Sequence, residues 1–355
     1  MQSPGVEDDE PLVDTTAPLV KRSKKTARLE RQQQRRQQKA ACKIHSFLEL
    51  PPELAQEVLS HLLPSDVMRL TQLNHSTREF ILENEGAIAR DIMQRRYWVL
   101  SRCFPLPQLV SELDHESRLA LEHPRRQGMI IVHTRYQHMK APDASYVCTC
   151  NACLWAWNNL NVILDFAHFQ DNLDNREPIP MIPRGTQPEW NAKLIGDHAS
   201  IVERAMVSPI VHAAIMEKHL NSITSTLLRQ TRFPSRVPVH RHNKTTATPK
   251  TVHPSKLNNF LEQDAILQDD QFLEREGKES LEIPFHRDNY YSLLAYVPNR
   301  KWGRDEEKWK YYIEGQHDRD LELYRRWFLH WKAVEQIADG QISANAIDTR
   351  GHRQA

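Results

Sequence analysis

Phe47-Leu48-Glu49-Leu50-Pro51-Pro52-Glu53-Leu54-Ala55-Gln56-Glu57-Val58-Leu59-Ser60-His61-Leu62-Leu63-Pro64-Ser65-Asp66-Val67 is where a regular apolar period begins in this 355-residue chain. Leu54, Val58, Leu59, Leu62 and Leu63 recur at helical spacing and form one stripe. Pro51 and Pro52 suit the start of such a helix, and Pro64 marks its end. Ser65 is placed to cap a second short helix carrying Val67, Leu70 and Leu73, and a third follows through Phe80, Ile81 and Leu82. The first stripe is wider than one neighbouring helix covers, so part of it is expected to face a partner.

Outward from this stretch the periods remain helical. Ile88, Ile92, Val99 and Leu100 mark a fourth helix, which Phe104-Pro105-Leu106-Pro107 interrupts. Leu109 to Leu121 reads as another helix. Met129-Ile130-Ile131-Val132 fits a short strand or a buried turn equally. From Leu154 to Asn172 the polar residues Asn158, Asn161, Asp165, His168 and Asn172 make one narrow stripe on an otherwise apolar helix. A ligand-facing stripe and the exposed edge of a core helix both fit this pattern, and the exposed edge is the expectation. Glu177 to Gly185 is an extended proline loop, and helices follow at 189–207 and 209–231. A last long helix at about 304–338 places Trp309, Tyr312, Leu323, Trp327 and Val334 near one face.

The fold class expected is therefore mainly α, with few or no strands. The domain plan is a disordered tail over 1–43 and a three-helix unit over 44–84. A helical body follows over 85–232 and 256–340, broken by a flexible insertion at 233–255, and 341–355 is a second disordered tail. Only ten glycines occur, no Gly-x-Gly-x-x-Gly or Gly-Lys-Ser/Thr stretch exists, and neither phosphate-cradling loop is available.

Charge is distributed unevenly along a chain that is nearly neutral overall. Residues 7–14 carry five acids, whereas residues 21–39 carry nine bases against one acid, a net charge of +8. With little to bury, the basic segment is expected to be disordered, with room for nascent helix in its Gln/Arg stretch. Lys24-Lys25 and Arg35-Arg36 form two basic clusters of the kind read by nuclear import, an alternative to a merely solvated tail. Aromatics are missing from this run, so nucleic-acid stacking is not expected. No apolar run reaches the ~20 residues of a membrane span. Five cysteines are too few for a disulfide framework in a chain of this length, and the acidic start does not resemble a secretory leader. The expected setting is intracellular, in the nucleus or cytoplasm, without membrane partners.

Two constellations bear on chemistry. Cys148-Thr149-Cys150-Asn151-Ala152-Cys153 puts three thiols within six residues, so one loop can deliver Cys148, Cys150 and Cys153 to a zinc ion. A fourth ligand is available from His133, His138 or His168; the alternative is three thiols simply packed as small hydrophobes. Zinc is the one cofactor suggested. His286-Arg287-Asp288 superficially matches a kinase catalytic loop, or half of an iron-binding facial triad. The kinase motif needs Asn where Leu293 stands, and polar pairing is the expected role. No local nucleophile motif is present, and the expectation is a protein that is not an enzyme.

Leu48-Glu49-Leu50-Pro51-Pro52-Glu53-Leu54, Val58-Leu59-Ser60-His61-Leu62, Pro64-Ser65-Asp66-Val67, Leu70, Leu73-Asn74 and Arg78-Glu79-Phe80 together resemble an F-box. The longer arrangement, with the cysteine cluster leading into Trp155-Ala156-Trp157-Asn158-Asn159-Leu160, resembles fungal F-box proteins of unassigned substrate. The resemblance implies a three-helix hook docking on the Skp-type adaptor of a cullin–RING ubiquitin ligase, the remaining chain recruiting a protein substrate. On that resemblance the adaptor-facing residues are Leu48, Leu50, Pro51, Pro52, Leu54, Val58, Leu59, Leu62, Pro64 and Leu70. The alternative is a zinc-stabilised nuclear helical protein that binds partners or nucleic acid without ligase recruitment.

Overall fold

A computed structural model describes residues 24–40, 47–128, 139–175, 177–183, 185–232, 262–275 and 296–338. The strand or turn expected at Met129–Val132, the 233–255 insertion, the His286-Arg287-Asp288 run, both chain ends, His133 and His138 lie outside the described residues. The chain divides into two compact units, 1–52 and 53–355.

In the first unit the basic segment is an α-helix, α1 (Lys24–Ala40), where charge led to the expectation of a disordered tail. The difference lies in propensity: Ala, Leu, Arg, Lys, Gln and Glu are the strongest helix formers, and the segment contains little else. The side chains of Lys24, Lys25 and Arg28 through Arg35 are exposed. A 3-10 turn over Phe47–Glu49 follows, closed by Leu50 N–H donating to the Phe47 carbonyl.

From Glu53 onward, in the second unit, come the rest of α2 (Pro52–Ser60), then α3 (Pro64–Leu70) and α4 (His75–Glu83). Pro64 corrects the expected capping: it stands at the first turn of α3 behind Leu63, so Ser65 is inside the helix and caps nothing. Ser65 instead donates from its amide (2.8 Å) and hydroxyl (2.7 Å) to the Glu217 carboxylate. Asn74 caps α4, its Oδ1 accepting from Thr77 N–H at 2.8 Å, a cap whose loss typically costs about 1 kcal/mol. The fourth helix expected is two, α5 (Glu85–Arg96) and α6 (Trp98–Cys103), broken at the buried Tyr97. The helix expected from Leu109 is shorter: Leu109 makes a β-bridge with Val147, and α7 (His115–Glu122) starts only after Asp114 caps Ser117 N–H at 2.8 Å.

The helices α8 (Pro124–Gln127), α9 (Asn151–His168), α10 (Gln170–Asn175), α11 (Glu189–Val207), α12 (Pro209–Arg232) and α13 (Glu262–Leu267) follow in order. Helix α12 is the axis of the body, packing on α3, α5, α9, α10 and α11. Its apolar residues explain that position: Ile210, Ala213, Ile215, Met216, Leu220, Ile223 and Leu227 are buried on several sides of the helix. The polar stripe of α9 is not an exposed edge. Asn158, Asn161 and Asp165 are buried because α9 is covered by both α11 and α12, and only His168 at the helix end is exposed. Asp165 Oδ1 lies 3.1 Å from His198 Nδ1 on α11, and burial raises the Asp165 carboxyl. Trp157 is fully buried, its indole N–H donating to the Lys140 carbonyl at 2.8 Å.

The long helix expected at 304–338 is corrected at its start. Strands β1 (Arg300–Gly303) and β2 (Lys308–Tyr311) pair antiparallel, with Trp302 opposite Trp309, before α14 (Gln316–Ala338) begins. Aromatic alternation favours the hairpin: the Trp302 and Trp309 rings meet edge-on at 5.4 Å, and Arg300 lies 4.0 Å over Trp309. Gly315, at φ +67, turns the chain into α14, which packs on α7 and α9. The fold is mainly α, and β1–β2 is the sheet among the described residues. No helix among them is long and apolar enough to cross a membrane.

Candidate metal centre

The bridge between Leu109 and Val147 sets the site. Val110 N–H donates to the Tyr146 carbonyl and Cys148 N–H to the Gln108 carbonyl, both at 2.9 Å, which fixes the strand leading into the cysteines. Cys150 then serves as the N-cap of α9, its sulfur accepting from Cys153 N–H at 3.4 Å. Cys150 and Cys153 thus stand at the start of a helix, where amide N–H groups and the helix dipole favour negative charge.

The fourth residue is His317, in the first turn of α14. Its Nδ1 is 3.4 Å from Cys150 Sγ and 3.3 Å from Cys153 Sγ. One ligand atom from each of Cys148, Cys150, Cys153 and His317 lies within 4.8 Å of every other. A tetrahedral zinc site with Zn–S near ~2.3 Å and Zn–N near ~2.05 Å has a sulfur–nitrogen edge of roughly 3.6 Å. The cluster therefore fits a structural zinc centre in donor type, number and spacing.

The surroundings also suit thiolates. Each sulfur accepts a main-chain N–H: Cys148 from Cys150 (3.5 Å), Cys150 from Cys153, and Cys153 from Gln108 (3.3 Å). Arg126 is buried and donates to the Thr149 carbonyl at 2.6 Å, with its guanidinium 4.4 Å from the Tyr324 ring centre. Asp320, one turn after His317, accepts from Ala152 N–H at 2.7 Å and from Gln316 at 2.8 Å, so α14 is pinned to the first turn of α9 beside the ligands. Hydrogen bonds from the Cys150 and Cys153 thiols pull Cys148 down to about 4, and Cys153, which donates to Cys148, is pushed up. The hydrogen bond with Cys150 raises His317. A metal ion held by these four residues would replace the shared protons with one charge common to all of them.

Of the fourth ligands weighed from the sequence, His168 is not at the cluster; it lies at the far end of α9, edge-on to Phe169 at 4.6 Å. His317 stands 164 residues beyond Cys153 among eighteen histidines, and nothing local to it marks a ligand. Only the docking of α14 on α9 brings it to the loop.

The residues expected to face an adaptor are divided. Leu54 and Val58, one turn apart on α2, are 53% and 45% exposed. Ala55 and Leu59 on the same helix are buried, as is Pro64, while Leu62, Leu63 and Leu70 are half-buried. Leu50 is half-buried in the first unit, and Pro51 and Pro52 are exposed. Leu73 and Leu82 are also exposed. Compared with known proteins, the chain matches no family model, no curated protein and no solved structure.

Proposed function

We propose that this chain is an F-box-type adaptor: a helical protein that holds a Skp-type adaptor of a cullin–RING ubiquitin ligase through α2–α4 and recruits a protein substrate through a body stabilised by zinc. The observation that supports the adaptor role is the outward pair Leu54 and Val58 on α2, apolar and about half exposed while the same helix anchors itself through Ala55 and Leu59. A helix that keeps a second apolar stripe in water is suited to lie in a partner's groove. The zinc component rests on the Cys148, Cys150, Cys153 and His317 cluster. The role is one of binding, without a catalytic residue.

The test is co-purification of the full chain with the Skp-type adaptor. Leu54→Asp with Val58→Asp places two charges on exposed positions and leaves the buried stripe intact. Loss of two anchors of ~2 kcal/mol each weakens binding by roughly a thousandfold, so the adaptor should vanish from the purified complex while helical content is retained. A folded double variant that still carries the adaptor, or a wild-type chain that never does, removes the F-box reading. The zinc-stabilised protein that binds partners without ligase recruitment then takes its place.

A further inference from the structure

A cavity of about 520 Å³ lies against the metal centre, and Cys153 and His317 form part of its wall, with Ser101, Leu106 and Glu314 among the other residues. Cys148 and Cys150 do not line it. All three thiols are shielded from bulk solvent, at 0% exposure for Cys148 and Cys150 and 2% for Cys153. The cavity therefore gives a small neutral solute a route to Cys153 that it does not give to Cys148 or Cys150. That sulfur belongs to a Cys-x-x-Cys pair at a helix N-terminus, with Cys150 as cap and its sulfur accepting the Cys153 amide. With zinc bound both sulfurs are held as thiolates, and the two lie within 4.8 Å of one another, so that one can resolve the other once it is oxidised.

We propose that Cys153 is a site of oxidation by peroxide, reached through this cavity, and that its disulfide with Cys150 expels the metal ion. The proposal rests on the zinc reading of the site. The Cys153 thiolate attacks one peroxide oxygen, the O–O bond breaks, and the products are a Cys153 sulfenic acid and hydroxide, which takes a proton to become water. The Cys150 thiolate then attacks the sulfenic sulfur and displaces a second hydroxide, also protonated to water. Two thiolates lose two electrons to one peroxide, two protons are taken up, and one disulfide and two waters result. Cys148 and His317 remain as two ligands, too few for a four-coordinate zinc site, and the ion departs. One of the two links between the α9 and α14 N-termini is lost with it, leaving the Asp320–Ala152 hydrogen bond, so peroxide controls how firmly α14 is held.

The experiment uses the zinc-loaded full chain with hydrogen peroxide, a chromophoric zinc indicator to follow release, and peptide mapping after alkylation to locate the disulfide. Zinc should leave as a Cys150–Cys153 disulfide forms. Ser101→Trp and, independently, Leu106→Trp narrow the cavity without touching a ligand. Each should retain zinc yet slow its release by roughly tenfold, an added barrier of about 1.4 kcal/mol. Zinc retained under peroxide, a disulfide that uses Cys148, or narrowed variants that hold zinc but release it at the wild-type rate would each overturn the proposal. If both narrowed variants lose zinc on purification, the disulfide map of the wild-type chain decides. A wild-type chain that purifies without zinc defeats the zinc reading itself, a result distinct from a zinc site that peroxide does not open.

Discussion

Asp270 accepts from Leu100 N–H at 2.8 Å and donates its own amide to the Arg96 carbonyl at 2.8 Å. One residue thereby satisfies the end of α5 and the start of α6, groups that the break at Tyr97 would leave unpaired. The cost is burial of a carboxyl, which pushes Asp270 up to about 7. His212 and His219 on α12 show the opposite shift for the same reason. Burial lowers each to about 4, while their Nε2–H groups donate to the Phe104 and Tyr296 carbonyls at 2.9 and 2.6 Å. The sign for His212 follows from proton uptake. Between its ordinary 6.5 and about 4 the unfolded chain binds a proton that the folded chain refuses, so stability falls as pH falls through that window. His212→Gln keeps a donor for Phe104 but removes the titration. Its unfolding free energy, measured by urea titration from pH 7 to 4.5, should fall less steeply than wild type by up to about 1.4 kcal/mol per pH unit. Equal slopes would show that this ring is protonated in the folded chain.

At the scale of elements, α14 is held to α9 at one end and to α7 along its length. Asp320 and His317 supply the first attachment, and Leu321 and Tyr324 enter an apolar cluster with Leu113, Ala120, Leu121 and the three cysteines. The body around α12 is built from other contacts, so if the cluster holds zinc, loss of the ion should act locally. On that reading His317→Ala should lower zinc content from about one ion per chain to near zero, in keeping with the four-ligand rule. It should also open α14 to limited proteolysis and alter the emission of Trp327 and Trp331, with α9, α11 and α12 remaining folded. An α14 as protected in the variant as in wild type would mean that Asp320 and the apolar cluster suffice without the ion.

At the scale of the whole molecule, α1 belongs to the first compact unit, and Lys24, Lys25, Arg28, Arg31 and Arg35 are exposed on a helix sustained by propensity. Deleting residues 1–43 should change the stability of the remaining chain by no more than ~0.5 kcal/mol, the range of surface changes. If Lys24, Lys25, Arg35 and Arg36 serve import, the same deletion should reduce nuclear accumulation of a fluorescent fusion. A marked fall in melting temperature would show that the segment is docked, and unchanged distribution would remove the import reading.

What the sequence determined by itself is the local order: a mainly α chain, the starts of α11 and α12, the helical stretch from Pro52 to Glu83, and three thiols within six residues. These are legible because apolar period, proline position and cysteine spacing act over a few residues. Tertiary structure decided the rest. The stripe on α9 looked solvent-facing because polarity was the only cue, yet α11 and α12 close over it and Asp165 meets His198. Spacing alone puts Trp309 and Tyr312 on a helical face, whereas the edge-on contact of Trp309 with Trp302 that favours the hairpin joins residues on separate strands. Most of all, the candidate metal cluster is completed by His317, which no spacing rule ties to Cys153. Ligand geometry depends on distance in space, and the packing of α14 against α7 and α9 is what converts 164 residues of chain into 3.3 Å.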